Sequence, residues 1–318
     1  MTDEEGPEQL ALVPASSQAR KRSAKAKSAQ VQAASIPVAR IAVDTGLAHL
    51  DKPFDYLVPS TLDTETVPGC RVKVRFAGRL VDGFVIDRID ETDHDGRLAF
   101  LAKVVSPEPV LHREVLRLAR AVADRYAGTL GDVLRLAIPP RHARAEAVVG
   151  TAVECDLPPA TDTGWRPYDH GTDFLAALRS GEAPRAWWTA VPGGDPAHAV
   201  AQAVLAVLES GRGSVVCVPD VRDVARWDAV FTDVLGEGHH VALTAAMSPA
   251  ARYRSFLAAS RGQVQVVLGT RAAAFAPVHA LGLVAMWDDG DDLYAEPRAP
   301  YPHAREVLLL RASGQRTA

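Results

Sequence analysis

The clearest group of side chains that could take part in chemistry is a cluster of four carboxylates, Asp288, Asp289, Asp291 and Asp292. The cluster follows the apolar run Leu281–Trp287, and an apolar run closed by a polar loop is typical of a buried parallel strand. Carboxylates at the carboxyl end of such a strand lie where α/β sheets bind ligands. In nucleoside triphosphatases the first acid holds magnesium and the second orients water. We therefore expect Asp288 and Asp289 to mark a nucleotide site.

The other half of a nucleotide site would be a glycine-rich loop with a lysine and a hydroxyl residue. The corresponding segment is Ala190–Ala197, which keeps Gly193 and Gly194, and no lysine occurs after Lys103. Asp195 adds a negative charge where phosphates would lie, and Pro196 removes a backbone N–H donor. The sequence therefore predicts a degenerate nucleotide site and no catalytic residue.

A second group of candidate side chains alternates along the segment Cys70–Phe76. Arg71, Lys73 and Arg75 fall on one face of this predicted strand, and apolar residues fall on the other. Cations in such a row could follow a phosphate backbone. An ordinary solvated strand face explains the same pattern equally well.

The segment that must position this row, residues 36–105, contains short strands separated by turns. This pattern predicts a small, mostly antiparallel β-barrel or sandwich. We expect its strands at Val38–Val43, Phe54–Pro59, Cys70–Phe76 and Gly83–Ile89. Residues 1–35 are rich in Ala, Ser and Gln, which is typical of a disordered tail. The basic run Arg20–Arg22 in this tail could touch DNA phosphates, although a solvated tail is the better interpretation.

Residues 108–150 are predicted to form two short helices, Leu111–Tyr126 and Val133–Ala137. Apolar residues recur at helical spacing in the first helix, and Pro139 and Pro140 end the second. Two short helices after a β module suggest a winged helix. Winged helices also mediate protein contacts, so this feature alone does not indicate DNA binding.

Residues 151–183 are predicted to be a linker or an insertion, and residues 184–318 alternate between strand and helix patterns. This alternation implies a parallel, doubly wound sheet, so the fold class is α/β with several domains. The expected strands are Ala186–Thr189, Ser214–Val218, Val241–Thr244, Val264–Leu268 and Leu281–Trp287. The expected helices are Ala197–Leu208, Val221–Leu235 and Pro249–Ala259.

Composition limits the class of protein. The 318 residues are 47% hydrophobic and 23% charged, which fits a globular protein of two or three domains. The apolar runs are too short for a transmembrane helix, and the three cysteines form no metal-binding pair. We therefore expect a cytoplasmic protein with no membrane partner and no metal site. The net charge of −4 means that nucleic-acid binding would depend on local patches.

Several motifs in these segments together resemble the PriA (primosomal protein N′) family of bacterial replication-restart proteins, which are superfamily 2 DNA helicases. The resemblance covers about residues 36–318, the N-terminal half of the family's length. The motifs are Phe54–Pro59, Pro68-Gly69 with Arg71–Val74, Leu130–Leu134, Gly269–Ala272 with Phe275–Pro277, and Tyr301–Val307 with Arg311-Ala312.

The resemblance implies a 3′-DNA-end-binding domain at about 36–105, a winged helix at about 108–150 and a first helicase lobe at about 184–318. In the family the Phe-Asp-Tyr segment lies in a pocket for the terminal nucleotide, so Phe54, Asp55 and Tyr56 are pocket candidates. Phe54 and Tyr56 could instead be core aromatics. Asp55 needs a partner among its apolar neighbours: a cation if it is structural, or a nucleotide if it is functional.

This sequence also departs from the family's motor motifs. The Walker A loop would fall on Ala190–Ala197, where Pro196 stands for the lysine and Ala197 for the threonine. The Asp-Glu-Glu-His box would fall on Asp288–Asp291, and only its first acid is unchanged. The pattern resembles the degenerate branch of the family in high-GC Gram-positive bacteria.

The family's second lobe and C-terminal zinc module would lie beyond Ala318, and a truncated reading frame is one explanation of the stop there. The family uses ATP, magnesium and zinc, and we expect this chain to bind none of them.

The resemblance implies a replication-restart protein that binds branched or single-stranded DNA, such as stalled forks with 3′ ends, so that the replicative helicase can be reloaded. The departures from the motor motifs predict that this chain does not unwind DNA itself. Its partners would be single-strand-binding protein and the factors that load the replicative helicase. One alternative is an ATP-dependent 3′–5′ helicase, which needs ATP bound through a distorted loop and a second lobe. The other is a winged-helix regulator with a ligand-sensing or oligomerising α/β part.

Overall fold

An antiparallel sheet of five strands forms the first part of the computed structural model, which describes residues 30–150 and 157–318. Its strand order is β2-β1-β4-β3-β5. The strands are β1 (Val38–Val43), β2 (Phe54–Leu57), β3 (Arg71–Phe76), β4 (Arg79–Ile89) and β5 (Lys103–Ser106). The predicted antiparallel β domain is therefore confirmed, with β5 as a strand that the sequence pattern missed.

The sheet curls until its two ends meet. Leu57 N donates to Ala99 O at 2.9 Å, and Leu101 N donates to Leu57 O at 2.8 Å, which joins β2 to the segment before β5. Alternate side chains point inward, so that Ile41, Val72 and Val85 are fully buried. These contacts give the domain a barrel-like shape with its own core.

The domain begins earlier than predicted. Ala33 N donates to Val58 O, Ser60 N donates to Val31 O, both at 2.8 Å, and Ala33 is buried. Residues 30–35, predicted as tail, thus pack along the sheet because their backbone groups find partners there. Residues 1–29 of the predicted tail, with the basic run, lie outside the described residues.

Three helices follow the sheet: α1 (Arg113–Arg125), α2 (Leu130–Ala137) and α3 (Ala143–Glu146). Thr129 and Asp132 form a reciprocal capping box at the start of α2. None of residues 108–150 forms a strand, so the predicted winged helix lacks its hairpin wing. The apolar faces of α1 and α2 instead share one core with the second sheet.

The second sheet is parallel and has the order β7-β8-β6-β9. Its strands are β6 (Gly213–Cys217), β7 (His240–Leu243), β8 (Val266–Gly269) and β9 (Leu281–Met286). The helices around it are α4 (Gly171–Arg179), α5 (Pro196–Glu209), α6 (Val221–Leu235), α7 (Pro249–Ser260) and α8 (Ala304–Gln315). One core lies against α4–α6 and another against α1, α2, α7 and α8, so both faces of the sheet are covered. This confirms the parallel sheet with helices on both faces.

Short 3-10 helices occupy Ala48–Leu50, Ser60–Leu62, Arg271–Phe275 and Asp292–Tyr294. No helix in the described ranges combines the length and the apolar character needed to cross a membrane.

The strand predicted at Ala186–Thr189 is wrong. These residues run without strand pairing, and the outer edge of β9 bonds to the backbone of Ala318 instead. Val284 N donates to Ala318 O at 2.9 Å, and Ala318 N donates to Gly282 O at 3.1 Å. An apolar run needs an open sheet edge to become a strand, and this edge is occupied.

The linker predicted at 151–183 is also wrong over its described part, residues 157–183. Trp165 is buried and its indole N–H donates to Ala199 O in α5 at 2.7 Å. Leu175 and Leu178 of α4 are fully buried in the same core. The segment is a packed layer over α5, because it carries large apolar side chains that α5 can cover. Residues 151–156 lie outside the described residues.

Candidate nucleic-acid interface

The three pocket candidates on β2 do not face the same way. Alternation along the strand turns Phe54 and Tyr56 to one side and Asp55 to the other. Tyr56 is buried, and its hydroxyl donates to Arg75 O at 3.3 Å. Phe54 is half-buried, with its ring edge-to-face against Phe76 at 4.8 Å between centroids. The structure therefore brings Phe54 and Tyr56 together and places Asp55 apart from them.

Asp55 has a cation as its partner. Both its oxygens accept from the Arg40 guanidinium at 3.0 Å, and the Thr92 hydroxyl donates to Oδ2 at 2.6 Å. The Asp55 side chain is only 10% exposed. The hydrogen bond from Arg40 lowers the pKa of Asp55, so the carboxylate is ionised at neutral pH. Asp55 therefore has the cation partner that a structural role requires. Recognition of a nucleotide by Asp55 stays a prediction.

A half-buried aromatic edge is formed by Phe54, Phe76 and Lys52. Lys52 is exposed, and its Nζ lies 5.9 Å from the Phe54 ring centroid. Arg75 precedes Phe76 and is exposed on the opposite face of β3. Aromatic rings beside a cation suit stacking of bases next to a phosphate backbone. Sequence reasoning missed Lys52 and Phe76, although Lys52 precedes Phe54 by two residues and Phe76 follows Arg75.

A tight turn holds one side of the aromatic edge. Ala77 and Gly78 connect β3 to β4, with φ of 46° and 80°. Positive φ at both central residues is the type I′ hairpin geometry, which glycine adopts without strain. This two-residue turn fixes the directions of Phe76 and Arg75 at the end of β3.

The predicted row of cations on β3 exists, but its three side chains differ in whether they already have a partner within the protein. Arg71 donates to Pro139 O at 2.6 Å and covers the Phe84 ring, so it joins the sheet to the helices. Lys73 pairs with Asp82 at 2.8 Å. Arg75 has no ion-pair partner among the residues that the structure describes. Arg75 is therefore the member of the row best placed to contact a phosphate.

Replacing Arg75 with glutamine is expected to lower the salt dependence of DNA binding. Because each lost phosphate contact removes about 0.9 from the log–log slope on duplex DNA, the slope should fall by about that amount. Lys73→Gln should change the slope less, because Asp82 already neutralises this lysine. Fluorescence anisotropy on one fork across a salt series measures both, with the exposed Arg144→Gln as control. Equal slopes for wild type and Arg75→Gln would mean that the face is only solvated.

The degenerate phosphate loop is closed by its own carboxylate. Asp195 caps α5 and its side chain accepts from Ala197 N at 3.0 Å and from His198 N at 3.2 Å. These are the N–H groups that a phosphate would use at a helix start. Gly193 and Gly194 form the turn just before this cap, and they follow no strand.

The acidic cluster does follow β9, as predicted. Asp289 pairs with Arg305 at 3.3 Å, and Asp291 accepts from Leu293 N at 2.7 Å as a cap. Asp288 is exposed. Trp188, before the glycine turn, and Trp287, before the acidic cluster, have ring centroids 5.8 Å apart. Within the described ranges, no group of three or more His, Cys, Asp or Glu is arranged to hold a metal ion.

Comparison with known proteins gives a consistent result. The family model of the PriA 3′DNA-binding domain (3′BD) matches residues 40–139, which include most of the curled sheet and helices α1 and α2. The chain is 52% identical over 272 residues to the "Probable replication restart protein PriA" of Mycobacterium tuberculosis. It is 50% identical over 275 residues to the protein of the same name from Mycobacterium leprae.

A more distant relative is the "Replication restart protein PriA" of Treponema pallidum, 28% identical over 276 residues. These alignments cover 83–85% of this chain and 40–42% of the relatives, so the chain spans about two fifths of their length. Over the aligned length the chain is thus similar to replication restart protein PriA, and residues 40–139 match that family's 3′DNA-binding domain.

Proposed function

We propose that this chain binds branched DNA, such as a stalled replication fork with a free 3′ end, so that the replicative helicase can be reloaded. The observation that carries this proposal is the match of residues 40–139 to a 3′DNA-binding domain. The aromatic edge, with Phe54 half-buried and Lys52 exposed beside it, supports the stacking of a base next to a phosphate in that domain. The names of the relatives support the same role in replication restart.

We propose further that the chain does not unwind DNA itself. Asp195 occupies the N–H groups at the start of α5, and Pro196 leaves no lysine to reach a phosphate. Losing that lysine removes charge stabilisation that phosphoryl transfer requires. These features argue against the alternative of an ATP-dependent helicase and against a need for bound magnesium.

The proposed partners are single-strand-binding protein and the factors that load the replicative helicase, acting in the cytoplasm. A winged-helix regulator is less well supported, because no residue from 108 to 150 forms the strands of a wing.

Fork binding is expected to be independent of ATP. Purified protein should bind a fork more tightly than a linear palindromic duplex of the same length, with equal affinity in the presence and absence of Mg-ATP. Calorimetry should detect no ATP binding at millimolar concentration. A magnesium-dependent Kd for ATP below about 100 μM, roughly −5.5 kcal/mol, would overturn the second proposal. A preference for the palindrome would favour the regulator instead.

A further inference from the structure

A cleft of about 650 Å³ lies at the edge of the parallel sheet opposite to the acidic cluster. It is bordered by the start of α1, the loop before β9 and the end of α8. Arg212 directly precedes β6 and Leu281 begins β9, so the cleft lies at the amino ends of these strands. We call it the amino-edge cleft. The nucleotide motifs contribute no lining residue to it, and of the residues matched to the DNA-binding domain only the start of α1 borders it.

The charge of the amino-edge cleft is strongly positive. Arg117, Arg212, Arg311 and Arg316 line it, and Glu114, which pairs with Arg117 at 3.5 Å, is the single acid among its lining residues. Arg212 donates to Leu178 O and Glu182 O, both at 3.1 Å, so its charge is held in place by carbonyl groups. Such a cluster attracts anions.

Arg311 is the most unusual member of the cleft, since it is only 2% exposed. Its two terminal nitrogens donate to Ala274 O at 2.8 Å and to Ala276 O at 2.7 Å, while its Nε–H is buried without an acceptor. Among the described residues no carboxylate lies within ion-pair distance of it. Burial lowers the pKa of Arg311 to about 10, so it remains charged at neutral pH. A buried cation without an acid partner is costly, and a bound anion would offset that cost.

The loop before β9, at one border of the cleft, is bonded on both sides. Gly213 N donates to Ala280 O at 3.1 Å, and a Cβ on Gly213 would lie 2.6 Å from Gln265 O. His112 and His279 both bond to Ser260, at 2.7 Å to its hydroxyl and 2.8 Å to its carbonyl. These bonds connect the loop to β6 of the parallel sheet and to α7.

We propose that the amino-edge cleft binds the phosphate groups of single-stranded DNA. Its volume suits about two nucleotides and is too small for a duplex. The same arginines would bind a free pyrophosphate, which is the alternative ligand that offers the same phosphate groups. The choice of DNA rests on the proposed function, but the site is separate from the aromatic edge and requires no 3′ end.

The test uses closed circular single-stranded DNA, which has no 3′ terminus, and the full chain. Arg117 is 67% exposed and Arg316 is exposed, so Arg117→Gln/Arg316→Gln should fold normally. Because single strands lose about 0.7 of log–log slope per phosphate contact, the slope should fall by about 0.7 for Arg316 and by less for Arg117, which already pairs with Glu114. Arg222→Gln/Arg254→Gln removes equal charge from exposed positions outside the cleft and should leave the slope unchanged.

Equal slopes for wild type and the Arg117/Arg316 variant would overturn the proposal. A second arm titrates pyrophosphate: if it binds wild type but not this variant, while circular DNA binds both alike, the cleft takes free anions and the assignment to DNA is wrong. Since circular DNA has no end, a failure of 3′-end recognition would not alter either result.

Discussion

Replacing Trp165 with alanine is expected to lower the free energy of unfolding by about 3–5 kcal/mol, the range for deleting a buried tryptophan. Trp165 is 5% exposed, and its ring contacts Phe174 at 5.0 Å and Trp188 at 5.5 Å between centroids. Its indole N–H bond to Ala199 O would also be lost. The change removes the side chain that fixes the supposed linker to α5.

Chemical denaturation followed by circular dichroism measures this effect. Trp187→Ala is the matched control, because Trp187 is 85% exposed and should change stability by no more than about 0.5 kcal/mol. If the two variants were equally stable, residues 157–183 would be a loose connection after all.

Glu146→Ala is expected to cost about 2–4 kcal/mol, because it breaks a polar network that joins three elements. Glu146 Oε1 accepts from the Ser106 hydroxyl and from Arg141, both at 2.7 Å, and Oε2 accepts from the Tyr253 hydroxyl at 2.9 Å. Its side chain is 11% exposed, so the groups left behind would be poorly hydrated. The network ties β5 and α3 to α7, and so ties the DNA-binding domain to the α/β lobe.

The effect of Glu146→Ala should depend on pH. Burial alone would raise the pKa of Glu146, but hydrogen bonds from Arg141, Ser106 and Tyr253 outweigh it and lower the pKa. The stabilisation is therefore complete above the unfolded pKa of 4.5 and is lost as the pH falls through the lower folded value. Urea titrations at pH 7 and pH 3 should show the difference from wild type shrinking. Glu114→Ala, at an exposed pair with Arg117, is the control and should cost under about 1 kcal/mol at either pH.

Helices and strands were predicted well where the period of the apolar residues in the sequence agrees with the face that the structure buries. Val221–Leu235 is helical to the residue, since Asp220 caps it and Gly236 ends it. The four parallel strands lie within two residues of their predicted ends. The prediction failed at Ala186–Thr189 and in the supposed linker, because both outcomes depend on distant partners: the edge of β9 and the surface of α5. Local pattern carries no information about such partners.

The candidate site was predictable only in part. Strand alternation correctly placed Arg71, Lys73 and Arg75 on one face, but it could not show that Pro139 and Asp82 engage two of them. The need of Asp55 for a partner could be stated from its apolar neighbours, whereas Arg40 as that partner depends on the pairing of β1 with β2. The capping role of Asp195 could be expected, because Asp before Pro is a common helix start.

The most direct test of the account uses two forks that are identical except at the 3′ terminus, which carries a hydroxyl in one and a phosphate in the other. If residues 40–139 act as a 3′-end-binding domain, the wild-type protein should bind the hydroxyl fork about tenfold more tightly, equivalent to roughly 1.4 kcal/mol. Anisotropy titrations at one fixed salt concentration measure both affinities. Equal affinity for the two forks would contradict 3′-end recognition by this chain.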